Sequence, residues 1–228
     1  MNSTNSIISS IPIKPLVSIV VPAYNEETII EKNLAALCEY MESLEDEYRW
    51  ELIVINDGST DKTGELAEIF SRARDNVHVL HHMFNFRLGQ ALRYAFDKCS
   101  GDYVVVMDAD LSYSPEHIGK MLVKIKETRA KIVIASPYMK EGKVSNVPWQ
   151  RKILSRWANR FLCITAPRDG FSDKLTTITG MVRAYDGEFL SRLNLKAMNV
   201  EIMPEIIYKA MILRARIVEI PAHLSWSA

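Results

Sequence analysis

Three short polar clusters carry the side chains from which chemistry can be built. Asp108-Ala109-Asp110 follows the apolar run 104–107. A spacing of two lets both carboxylates reach one hard cation together with a diphosphate, and without a cation or another partner the two charges repel. The plainer reading is a turn in which both aspartates act as caps. Asn56-Asp57-Gly58-Ser59-Thr60-Asp61 follows a second apolar run, 51–55. Asp57 comes first among its acids, and its carboxylate can accept a base N–H or a ribose hydroxyl. Asp61 reads as the N-cap of the next helix. Pro22-Ala23-Tyr24-Asn25-Glu26 closes a third run. Tyr24 offers an aromatic face to a base. Glu26 can accept a ribose hydroxyl, or simply favour the first turn of the helix after it.

The elements that must position these clusters follow from apolar spacing. Residues 16–21, 51–55, 77–80, 103–107 and 131–135 read as strands. Helical spacing covers 26–44, 62 to about 73, 88–98 and a segment starting at Pro115. Strands that alternate with helices and are continuously apolar imply an α/β, Rossmann-like architecture with a mainly parallel sheet flanked by helices. Ligands of such sheets sit outside the carboxyl ends of the strands, where all three clusters fall. After residue 136 the rhythm changes. A Gly/Pro/Ser-rich loop (136–148) leads to a basic aromatic helix (149–162), an irregular stretch (165–174), a strand over 177–185, a helix near 200–213 and a strand over 216–220. Residues 1–15 read as a flexible leader. Residues 16–228 read as one domain, with a first half to about 135 and a C-terminal elaboration from about 136.

Composition narrows the function. Lys+Arg and Asp+Glu both number 28, so the formal net charge is zero. A nucleic-acid binder would need a basic excess, which makes nucleic acid an unexpected partner. With 48% hydrophobic residues the chain can build a core. Three widely spaced cysteines, Cys38, Cys99 and Cys163, suggest neither a disulfide framework nor a structural zinc site. The N-terminus lacks the pattern of a signal peptide, and no run is long enough to span a membrane. The abrupt end at residue 228 leaves open whether the chain is a piece of a longer, membrane-anchored protein. There is no GxxxxGK[ST], GxGxxG or GxSxG motif. His81-His82 reads as a strand-end pair rather than a metal site.

Together the three clusters resemble the ordered signature of family 2 glycosyltransferases with the GT-A (nucleotide-diphospho-sugar transferase) fold. Residues 85–92, 108–116 and 180–185 and the ending Glu219-Ile220-Pro221 are most similar to the polyprenyl-phosphate (dolichol-phosphate) sugar synthases. The resemblance covers roughly residues 16–224. It implies an inverting hexosyl transfer from a UDP- or GDP-linked sugar, assisted by Mg²⁺ or Mn²⁺. Pro22, Ala23, Tyr24, Glu26, Asp57, Asp108 and Ala109 would hold the donor. Asp110, with Asp108, would hold the metal, and Arg183 would meet the donor diphosphate or the acceptor phosphate.

The expected helix 149–162 adds an argument of its own. Trp149, Ile153, Trp157 and Phe161 lie four apart, beside a basic stripe of Lys152, Arg156 and Arg160. Basic, Trp-rich amphipathic helices suit an anionic membrane surface. An ordinary packing helix with a solvated basic face is the alternative. In the family a matching Arg/Ser pair receives the lipid phosphate, which makes Arg151 and Ser155 acceptor-site candidates at the cytoplasmic face of a membrane. A phosphate acceptor is already anionic and needs cations more than a base, whereas a sugar-hydroxyl acceptor needs a base. Glu201 and Glu205 are the candidates for that base. Several residues depart from the family pattern. Asn56 stands where an acid is usual, Arg87 where a glycine is common and Pro137 where an acceptor-side arginine is expected, and Ser112 replaces a possible metal ligand. They keep two other readings open, a family member with a hydroxyl acceptor and a nucleotide-sugar-binding module without activity. Oligomeric state is not legible.

Overall fold

The computed structural model describes residues 13–146 and 175–225. The chain begins with strand β1 (Leu16–Ala23), helix α1 (Ile30–Glu42), β2 (Arg49–Asn56), α2 (Thr63–Ser71), β3 (Val77–His81), α3 (Leu88–Phe96) and β4 (Tyr103–Val106). It continues through α4 (Glu116–Thr128), β5 (Ile132–Ser136), β6 (Lys143–Ser145) and β7 (Arg183–Asp186). Helices α5 (Gly187–Ser191) and α6 (Ile202–Ile212) and strands β8 (Ile217–Pro221) and β9 (His223–Ser225) complete the described residues.

Seven strands form the main sheet in the order β3-β2-β1-β4-β7-β5-β8. β7 runs antiparallel to β4 and β5, and the other pairings are parallel. The apolar runs of β1 and β2 are buried on both faces, as a sheet with helices on each side requires. Side chains alternate between two cores. Ile19 and Val21 pack with Leu34, Leu37 and Met41 of α1 and Met121 and Leu122 of α4. Val20 and Val106 face the other way, onto Ala91 and Leu92 of α3 and Ile206 and Ile207 of α6. The chain winds outward from β1 to β3, then returns to place β4 on the opposite side of β1. The carboxyl ends of β1 and β4 therefore flank the switch point of the sheet.

The first five strands and four helices lie where the sequence places them, with one notable shift. Helix α1 starts at Ile30 rather than near residue 26, because residues 26–29 are held as a turn by the next loop. The later part differs more. The strand expected over 177–185 begins only at Arg183, since the backbone N–H groups of Thr176 and Thr177 donate to the Glu219 carboxylate at 2.9–3.0 Å instead of to a neighbouring strand. Helix α5 was not anticipated. Asp186 caps it by accepting the Phe189 N–H at 2.8 Å, and a side chain at Gly187 would strike the Gly101 carbonyl oxygen. Within the expected loop 136–148, β6 pairs with β9 in a second, two-stranded parallel sheet. The expected helix 149–162 lies outside the described residues, with Arg151, Ser155 and Cys163. No helix among the described residues is long and apolar enough to cross a membrane.

Candidate active site

All three clusters emerge at one edge of the sheet. Pairing aligns Ala23 with Asn56, and Val20 with Val106. Beyond the strands, the Asp57 N–H donates to the Ala23 carbonyl at 3.0 Å and the Met107 N–H to Val20 at 2.9 Å. The ladder is thus carried right up to the candidate residues, which gives them a rigid base.

The first two loops are laced together. Asn25 adopts a left-handed backbone (φ 56°). Its N–H donates to Ser59 Oγ at 3.1 Å, and its Oδ1 accepts from the Thr60 N–H at 2.9 Å. The Glu26 N–H donates to Thr63 Oγ1 at 2.7 Å. Asp61 lies one residue before the N-cap expected of it, which is Lys62; it accepts from the Thr63 N–H at 2.9 Å and from the Glu27 N–H of the first loop. This lacing leaves the Tyr24 ring 44% exposed at the edge, open to a ligand. Pro22 is half-buried at the end of β1, and Ala23 is buried.

Asp57 is only 5% exposed. Its Oδ1 accepts from His82 Nδ1 at 2.6 Å and from the Phe86 N–H at 3.0 Å. The base or ribose contact expected of Asp57 must therefore use its other oxygen, and its first task is to hold loop 82–87. Gly58 completes that junction with φ 68°, because a Cβ there would meet the Phe84 carbonyl carbon at 2.2 Å. Asn56 replaces an acid with a two-sided amide. Its Oδ1 accepts from the Ser59 N–H at 3.1 Å, while its Nδ2 meets His81 Nδ1 at 3.0 Å. His81 and His82 are indeed a strand-end pair, each coupled to one residue of the second cluster.

Asp108-Ala109-Asp110 sits beside the first loop. Asn33 of α1 donates to the Ala109 carbonyl at 2.9 Å, a brace that the sequence did not single out. The Ser112 N–H donates to Asp110 Oδ1 at 2.9 Å, and Ser112 Oγ to Asp108 Oδ2 at 3.3 Å. Burial first, and then the Asp110 charge, push the Asp108 carboxyl up to about 7. Burial and the charges of Asp110 and Asp61 also raise Glu26. Acids crowded in this way favour a cation, and the donor set consists of hard oxygens suited to Mg²⁺ or Mn²⁺. Among the described residues no group of three or more His, Cys, Asp or Glu side chains could complete a metal shell. A cation held by Asp108 and Asp110 would need further oxygens from a ligand, and a diphosphate supplies them.

Arg183 differs from its surface alternative and from its expected contact. It is fully buried in β7, paired between Val106 and Ile134. Its guanidinium donates to the Met203 carbonyl at 2.9 Å and the Ile178 carbonyl at 2.6 Å. In this arrangement Arg183 ties α6 and the strand entrance to the sheet rather than reaching out to a phosphate.

Glu201 and Glu205 do not stand ready as bases. Glu205 accepts from the Lys196 and Ala197 N–H groups at 2.8 Å each and from Lys209 Nζ at 2.6 Å. Burial works to raise this carboxyl, but the Lys209 and backbone bonds outweigh it and hold it below its usual range. Glu201 accepts from the Asn199 and Met198 N–H groups at 3.0 and 3.2 Å. Its own backbone N–H and those two hold it low as well. Both glutamates shape loop 196–200. Their partners lie two to nine residues away in sequence, yet nothing in the residue types marks them as caps rather than bases.

A model described as Glycosyl transferase family 2 matches residues 18–191. The chain is 32% identical over 205 residues to the dolichol-phosphate mannosyltransferase of Pyrococcus furiosus, covering 90% of this chain and 55% of that protein. It is 33% identical over 188 residues to the polyprenol monophosphomannose synthase of Mycolicibacterium smegmatis, covering 79% of this chain and 65% of that one. The chain thus spans less than two thirds of the length of either relative. Its fold is similar to that of a Pyrobaculum calidifontis mannosyltransferase solved with GDP-Man and Mn²⁺, with TM-score 0.65, 18% identity, and coverage of 93% of this chain and 57% of that chain.

Proposed function

Because this chain belongs to glycosyl transferase family 2 and has the GT-A architecture, we propose that it transfers a sugar from a nucleoside diphosphate to a polyprenyl phosphate at the cytoplasmic membrane face. The crowded pair Asp108 and Asp110 at the switch point of the sheet is the observation that carries this reading. In the proposed site Tyr24 stacks on the base, and Asp57 and Glu26 meet the nucleoside, with Pro22, Ala23 and Ala109 lining it. Asp108 and Asp110 hold Mg²⁺ or Mn²⁺. Bound there, the cation supplies Lewis-acid stabilisation of the charge that builds on the leaving diphosphate. An oxygen of the acceptor phosphate attacks the anomeric carbon from the face opposite the diphosphate. The bond from that carbon to the diphosphate oxygen breaks, and the configuration inverts.

A phosphate acceptor arrives as an anion and needs no proton removed, so its demand is for positioning cations. The hydrogen bonds that engage Glu201 and Glu205 in shaping loop 196–200 support this choice over a hydroxyl acceptor, which would require one of them as base. Arg151 and Ser155 keep their proposed place at the acceptor phosphate. Arg183 becomes a positioning residue that fixes the carbonyl groups of Ile178 and Met203 beneath the site. The two similar relatives carry dolichol-phosphate and polyprenol in their names, which favours a lipid-phosphate acceptor here.

A thermal-shift screen of UDP-, GDP- and CDP-sugars with Mn²⁺ tests the donor part. One donor class should raise the melting temperature, and Asp110→Ala should remove the effect. Equal shifts for wild type and Asp110→Ala would overturn the metal assignment.

A further inference from the structure

Among the described residues, several large apolar side chains are exposed on two loops beside the candidate site, as Ile212 and Leu213 are at the end of α6. Loop 82–87 presents Met83, Phe84 and Phe86 at 87%, 69% and 44% exposure. Loop 196–200 presents Met198 and Val200 at 48% and 62%. Loop 196–200 lies against the first turn of α3, into which loop 82–87 leads. The Gln90 N–H donates to the Met198 carbonyl at 3.2 Å, and a Cβ at Gly89 would meet the Met198 backbone at 2.6 Å. Single exposed apolar residues are ordinary on a protein surface, but two loops that flank one helix start and each expose several large ones mark a surface that meets something.

Three cations lie beside these loops. Arg87 and Lys196 are exposed, and Arg93 reaches across the seam to the Lys196 carbonyl at 3.4 Å. The carboxylate of Glu201, the residue that follows loop 196–200, is turned onto the backbone N–H groups of residues 198 and 199, leaving the cations in excess. Arg87 also holds a backbone conformation, φ 76° and ψ 162°, that belongs almost solely to glycine. An arginine kept there at such a cost implies a use for its side chain at this spot. Beneath, the same loop is fastened to Asp57 through His82 and the Phe86 N–H, so the patch is rigidly joined to the donor edge.

We propose that loops 82–87 and 196–200 form a membrane-docking surface. Phe84, Met83 and Val200 enter the interface of an anionic bilayer, and Arg87, Arg93 and Lys196 lie among its phosphates. Apolar tips beside cations are complementary to such a surface. The inference rests on the lipid-phosphate reading of the acceptor, and it adds that the active edge itself faces the bilayer. It does not depend on the helix expected over 149–162.

The triple variant Met83→Ser/Phe84→Ser/Val200→Ser changes only exposed side chains. Co-sedimentation would compare it with the wild type on vesicles of phosphatidylcholine with phosphatidylglycerol, and on phosphatidylcholine alone. Wild type should partition to the anionic vesicles, and the variant should lose at least about tenfold in partitioning. Transfer to a short, water-soluble prenyl phosphate should be the same in both proteins, while transfer to a long-chain acceptor embedded in vesicles should fall in the variant. Equal vesicle binding by the two proteins, or no binding by the wild type, would overturn the inference. So would an altered sedimentation coefficient of the variant without lipid, with vesicle binding unchanged, since the patch would then be a protein interface. Absence of transfer to either acceptor would instead overturn the functional reading, and vesicle binding would still decide the docking surface.

Discussion

Replacing Asp108 with Asn should make the metal-free protein more stable while disabling its site. Asp108 is raised from an ordinary 3.8 to about 7 by burial and by the charge of Asp110. Across that interval the folded protein keeps a proton that the unfolded chain has already lost. Stability therefore falls as pH rises from about 4 to about 7, at about 1.4 kcal/mol per pH unit, and the ionised carboxylate costs the fold roughly 4 kcal/mol at pH 8. At pH 5 the same reasoning gives about 2 kcal/mol. Asparagine has nearly the same shape and cannot ionise. In a chelating buffer Asp108→Asn should melt higher than wild type at pH 8, by on the order of 10 °C for a domain of this size, with a smaller gain at pH 5. Saturating Mn²⁺ should raise the wild type and narrow the difference. Differential scanning calorimetry at both pH values reads all of this. A variant that melts at or below the wild type at pH 8, or that gains equally at both pH values, would refute the picture of crowded carboxylates awaiting a cation.

Three other outcomes follow from the same geometry. Binding of Mn²⁺ should displace the Asp108 proton, so apparent affinity should rise about tenfold per pH unit below 7 and level off above it, with proton release measured by calorimetry in buffers of different ionisation enthalpy. Arg87→Gly should stabilise the protein by about 1 kcal/mol in urea unfolding, because it relieves a backbone conformation that costs a side-chain-bearing residue about 1–3 kcal/mol. Glu205→Gln should cost about 1–3 kcal/mol of stability by weakening the bonds to Lys196, Ala197 and Lys209. Its kcat with a phosphate acceptor should be nearly unchanged, and a large loss of kcat with full stability would restore Glu205 as a base.

The donor edge was legible because its determinants are local. An apolar run followed at once by Asp57 or Asp108 gives both the strand and the residue at its carboxyl end, and parallel pairing then gathers the ends. The later half was less legible because its determinants lie far apart in sequence. Glu219 captures the N–H groups of Thr176 and Thr177 more than forty residues away, and so moves the start of β7 to Arg183. Arg183 reads from residue type alone as a ligand contact, and only the antiparallel insertion of β7 between β4 and β5 shows that it is buried against two carbonyls. Glu201 and Glu205 look free to act as bases until loop 196–200 is seen folding back onto them. Arg87 stands out in the sequence only as a departure from the family pattern, and the bonds from Asp57 that position loop 82–87 cross twenty-five residues or more.

The central claim is transfer from a nucleotide sugar to a lipid phosphate at the Asp108–Asp110 edge. Mass spectrometry of lipids extracted after incubation with polyprenyl phosphate, Mn²⁺ and each of the UDP-, GDP- and CDP-sugars tests it most directly. The expected product is a glycosyl polyprenyl phosphate of inverted anomeric configuration from one donor class, lost on adding chelator and lost in Asp110→Ala. Sugar transferred only to hydroxyl acceptors, or a lipid product that persists in chelator and in Asp110→Ala, would contradict it.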